Sequence, residues 1–125
     1  MNAQLLAKTA YATNTAPFKT PRSAEYEAFA QVTHRMKSAI EGGASAFPEL
    51  AAALHTNRQL WTALAADVAE ASNALPANLR ARVFYLAEFT ALHSSKVLRG
   101  DANAEILIEI NATVMRGLRE TLEAA

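Results

Sequence analysis

The chain has no cysteine, and only four glycines and four prolines in 125 residues. Without a thiol there is no disulfide, no thiolate-held zinc and no cysteine nucleophile, while the compartment stays open on that ground alone. Four glycines and four prolines are too few for the many turns of an all-β domain. Charge of one sign is missing as well. Twelve Lys and Arg balance twelve Asp and Glu, so no global field gathers nucleic acid or an anionic membrane. Nowhere do about eighteen apolar residues run together, and the opening M-N-A-Q-L-L-A-K-T-A-Y-A has neither a basic n-region nor a continuous apolar h-region. The expectation is a soluble cytoplasmic protein with no membrane partner.

The motifs of catalysis are equally scarce. There is no G-x-x-x-x-G-K-S/T, G-x-G-x-x-G, H-E-x-x-H or G-x-S-x-G. His34, His55 and His93 fall on three different predicted helices, none with Glu at the spacing used by carboxylate-bridged metal sites in bundles. Glu105 and Glu109 stand one turn apart as like charges, the mark of a solvated face. Asn111-Ala112-Thr113 matches the N-glycosylation pattern but has no meaning without a secretory signal. These readings predict no catalytic residue, no metal, no cofactor and no small-molecule substrate.

What the chain does have is alanine, 29 of 125 residues, within a composition that is 51% hydrophobic and 19% charged. Alanine is the best intrinsic helix former, and this balance belongs to a globular protein with one core. Leu5, Leu6 and Tyr11 mark a short N-terminal helix over residues 2–12, marginal unless docked. A linker follows, with Pro17 and Pro21 each disfavouring helix at the residue before it. Thr20 and Pro21 then suit an N-cap and first helical position for a helix to about Glu41, with Tyr26, Phe29, Thr33, Met36 and Ile40 on one face and Gly42-Gly43 ending it.

The next stripe is Leu50, Leu54, Asn57, Trp61, Leu64 and Val68, on a helix that begins near Pro48. Pro76, with Asn73 or Ala74 near the cap, starts another to about residue 98. It carries Leu79, Val83, Leu86, Thr90, His93 and Val97 and is closed by Gly100. Asp101 or Asn103 caps the last, whose Ile106, Leu107, Ile110, Val114, Leu118 and Leu122 form a broad face. Short connections imply antiparallel neighbours. The predicted fold is all-α: a small antiparallel bundle of four main helices over 21–125, preceded by a short, mobile N-terminal helix and linker over 1–20.

Four positions ask for more than packing. Asn57 occupies the apolar stripe where leucine would pack better, so its amide must cap a loop, pair across the bundle or face a partner. Trp61 one turn later suits a core anchor whose indole N–H finds one acceptor. Asp67 pairs with a neighbouring helix or a cap. Gly117 lies inside a helix at a cost of up to about 1 kcal/mol relative to alanine, which points to close approach of another backbone, internal or bound.

Taken together, N-R-Q-L-W-T-A-L-A-A-D-V-A, N-A-L-P-A-N-L-R-A-R, V-L-R-G and I-L-I-E-I-N-A-T-V-M-R-G-L resemble the flagellar biosynthesis regulator family FlaF of alphaproteobacteria. The likeness is close over residues 50–118 and looser toward the N-terminus. It implies an accessory protein of flagellin production, acting opposite the regulator FlbT, with a direct, chaperone-like binding of flagellin also associated with the family. The expected partner is therefore flagellin, with FlbT as a second, and the expected partner surface comprises Leu5, Leu6 and Tyr11 with Asn57, Arg58 and Trp61. The N-terminal helix would occupy the groove in the free protein and be displaced by flagellin. The rival reading, control of flagellin messenger RNA, needs a cationic patch of Arg58, Arg80, Arg82 and Arg99 around Tyr85, and zero net charge weighs against it.

Overall fold

A computed structural model describes residues 21–70 and 73–124, and the four main helices expected from the sequence are all present. Helix α1 spans Pro21–Glu41, α2 Phe47–Ala69, α3 Ala77–Leu98 and α4 Glu105–Ala124, with a 3-10 turn at Gly43–Ala46 between the first two. No strand occurs among the described residues. The β-branched run Ile106–Ile110 is helical, as its cap and onward period imply. The short helix expected over 2–12, with Leu5, Leu6 and Tyr11, lies outside the described residues.

The helix ends follow from local chemistry. Gly43 takes φ of 72° beyond α1, a backbone region that costs L-residues with a side chain roughly 1–2 kcal/mol. Pro48 sits in the first turn of α2, where a missing N–H costs nothing, and Glu49 faces the positive end of its dipole. Between α2 and α3, Asn73 donates from Nδ2 to the Asp67 carbonyl and carboxylate, both at 3.2 Å, and accepts from the Leu75 N–H at 2.9 Å. Asp67 thus belongs to the connection. The N-cap position of α3 is Pro76, which has no side-chain cap, so Asn73 holds the loop and does not cap the helix.

The end of α3 is a Schellman motif. The Asp101 N–H reaches back to the Lys96 carbonyl at 2.9 Å and the Gly100 N–H to that of Val97 at 3.0 Å, with Gly100 at φ 83°. Asn103, not Asp101, then accepts the Glu105 N–H at 3.0 Å and opens α4.

The described helices form a ring in which α1 packs closely on α2 and α4, and α2 on α3, while α3 and α4 touch least. Inside, the apolar residues divide into two clusters. One holds Phe29, Trp61, Leu64, Val68, Val83 and Leu118, and the other Met36, Ala53, Leu54, Val97, Ala104 and Leu107. Along every helix a buried polar residue separates the two: Thr33 on α1, Asn57 on α2, Thr90 and Ser94 on α3, and Asn111 on α4.

Candidate functional site

The two residues most marked in the sequence, Asn57 and Trp61, meet at this polar layer. Trp61 is 1% exposed and packs edge to face against Phe29, with ring centroids 5.5 Å apart. Its indole nitrogen can only donate, so the group it meets must be an acceptor, and that group is Oδ1 of Asn111 at 2.9 Å. The amide of Asn111 is thereby oriented. Its Nδ2 donates to Oδ1 of Asn57 at 2.8 Å and to Oγ1 of Thr33 at 3.0 Å, while the Thr33 hydroxyl donates to the Phe29 carbonyl at 2.6 Å. One asparagine thus ties α4 to α1 and α2 at once.

On the α3 side the layer is unfinished. Thr90 Oγ1, Ser94 Oγ and Asn57 Nδ2 are buried without a hydrogen-bond partner among the described residues. Sequence reasoning notes Asn111 only as part of a glycosylation-like triplet, although its spacing of four from Leu107 and seven to Leu118 places it on the buried face. The argument applied to Asn57 would have found it.

The residues predicted to face a partner are therefore divided. Asn57 and Trp61 are enclosed and engaged with Asn111, which makes them core groups of the folded bundle. Arg58 is half-buried on α2. Leu5, Leu6 and Tyr11 lie outside the described residues. Of the arginines in the messenger RNA reading, Arg99 stands apart: it is about 25 Å along the helix from Arg82 at 1.5 Å per residue, and it pairs with Asp101 at 3.2 Å. Arg80 reaches back to the Glu70 carbonyl at 3.3 Å.

An apolar surface concavity lies where the described helices are least closely packed. A groove of about 270 Å³ runs between the first half of α3 and the second half of α4. Leu79, Val83 and Leu86 line one wall, Val114 and Leu118 the other, and Leu64 of α2 the floor. Gly117 lines this groove, and among the described residues, its own stretch of helix and its chain neighbours apart, no atom comes within 4 Å of where its Cβ would be. The close approach expected at Gly117 is thus not made by the described helices. Arg82 and Arg116 stand on opposite walls, with Glu120 beside them. On the outer side of α3, Phe84, Tyr85 and Leu92 are exposed, Tyr85 to 67%.

Among the described residues no group of three or more His, Asp or Glu side chains is placed to hold a metal, and no helix is long and apolar enough to cross a membrane. A search of curated proteins and a search of solved structures return no match. The family model described as flagellar protein FlaF matches residues 7–118. That span holds the polar layer, both walls of the groove up to Leu118 and all three helix connections, and by it the chain belongs to the FlaF family, the proteins of flagellar biogenesis.

Proposed function

We propose that the chain is a non-enzymatic adaptor that binds flagellin, shields a helical segment of it before assembly, and so promotes flagellin synthesis and secretion. The observation that carries this reading is the α3–α4 groove. A bundle of this size closes its seams by default, because each helix has an apolar face to bury. Among the described residues one seam is left parted, with aliphatic walls and a glycine in one of them. An amphipathic helix laid into an apolar groove is a standard mode of recognition, and it serves a client whose own apolar stripe is otherwise exposed.

The test is titration of the purified protein with monomeric flagellin at low and physiological salt, followed by size-exclusion elution and Trp61 fluorescence. A complex that persists at both salts supports the adaptor. Binding to flagellin messenger RNA that weakens by orders of magnitude over the same range, with no flagellin complex, would move the role to translation. Binding to FlbT alone would make the effect on flagellin indirect.

A further inference from the structure

The α3–α4 groove has arginines on both sides of its rim. Arg82 projects from one wall and Arg116 from the other, and Glu120 is the one carboxylate among the lining residues. Arg82 makes no hydrogen bond or ion pair among the described residues, and Arg116 reaches Thr113 Oγ1 at a long 3.4 Å. Two guanidinium groups flanking an aliphatic trough, in a chain whose formal charge is zero, form a local cationic frame. The trough is also small. At about 270 Å³ it falls at or below the roughly 300–1,000 Å³ of ordinary small-molecule clefts, and its walls are aliphatic side chains of two helices.

Resting on the adaptor reading, the geometry points to an acidic amphipathic helix of flagellin as the occupant, its apolar stripe on Leu79, Val83, Val114 and Leu118 and its flanking carboxylates against Arg82 and Arg116. Gly117 lets the occupant's backbone come close, since no Cβ stands in the way. The same charge pattern disfavours a cationic occupant. Residues 1–20 carry Lys8 and Lys19 and no Asp or Glu, so this segment would bring like charge to the arginines. The frame selects against the chain's own N-terminus and for an acidic client.

Two probes test this on the full-length protein. The first is a designed helical peptide with leucines at i, i+4, i+7 and i+11, flanked either by Glu or by Lys, with binding followed at the Gly117 amide resonance. The Glu peptide is expected to shift Gly117 and to bind at least about tenfold tighter than the Lys peptide. Arg82→Glu with Arg116→Glu is expected to abolish or invert that preference, and Arg82→Lys with Arg116→Lys to keep it. Both arginines are exposed, and circular dichroism checks that each variant is folded. The second probe is flagellin itself, whose affinity the charge reversal is expected to lower by about tenfold.

If flagellin binds wild type and reversed variant alike, the groove is not its site, though the adaptor reading stands. If the Glu peptide binds at Gly117 and flagellin does not bind at all, the groove has its specificity and the flagellin reading falls. Equal binding of both peptides overturns the charge frame. So does a Gly117 resonance that shifts on deleting residues 1–18 or on diluting the protein alone, since the groove would then be filled by its own N-terminus or by a second copy.

Discussion

Thr33 and Thr90 lie in the same polar layer on diagonally placed helices, yet they should answer the same substitution with opposite signs. Thr33 accepts from Asn111 and donates to the Phe29 carbonyl, so Thr33→Val is expected to destabilise by about 1–2 kcal/mol. The Thr90 hydroxyl is buried without a partner among the described residues. A methyl group of the same shape removes that burden, and Thr90→Val is expected to stabilise by about 1 kcal/mol. Urea midpoints at constant slope measure both, and a loss of stability in Thr90→Val would show that its hydroxyl is satisfied after all. Asn111→Leu should be the costlier change. It leaves the Trp61 indole N–H and the Asn57 carbonyl oxygen buried and unmet, at roughly 1–3 kcal/mol for each group, and a loss under 1 kcal/mol would contradict the network. The sequence marked Asn57 and Trp61 because each breaks a local expectation. It did not show that they share Asn111, since that contact joins residues 54 positions apart and depends on how two helices are rotated about their axes.

Two glycines, one in the turn after a helix and one inside a helix, make the same contrast. Gly100 holds a φ of 83° in the turn that ends α3, so Gly100→Ala is expected to cost about 1–2 kcal/mol. Gly117 is helical and faces open space among the described residues, so Gly117→Ala is expected to raise thermal stability, by up to about 1 kcal/mol. It should at the same time weaken flagellin binding. Calorimetry and titration on the same preparations check the pair, and a Gly117→Ala protein that melts earlier would mean the position is already occupied. Helix extents were readable because the stripes Phe29–Met36 and Leu54–Val68 keep a helical period between clear stops. The start of α3 was less so, because Asn73 looks like a cap but spends its side chain on Asp67 and Leu75. The meaning of Gly117 was half visible, since a mid-helix glycine announces a need for space without naming what uses it.

Across the molecule, two apolar clusters meet through a polar layer and three of four seams in the ring are closely packed. Trp61 belongs to one cluster and Leu107 to the other, which gives a test of whether they unfold together. Leu107→Ala should lower stability by about 2–5 kcal/mol, and Trp61 fluorescence should still trace the same transition as far-UV circular dichroism, as one cooperative domain requires. Separated transitions would mean that the layer insulates one half from the other. Short connections foretold an antiparallel bundle, but which seam stays parted depends on the balance of side-chain volume across the ring, and no single stripe carries that information. The Asn111 network also has a consequence for how such chains diverge. Thr33, Asn57, Trp61 and Asn111 work as one heritable unit, because altering any one orphans a group on another. In an alignment of relatives the four columns should change together or not at all, across 78 positions of sequence, while the groove-lining columns drift with the client each lineage must carry.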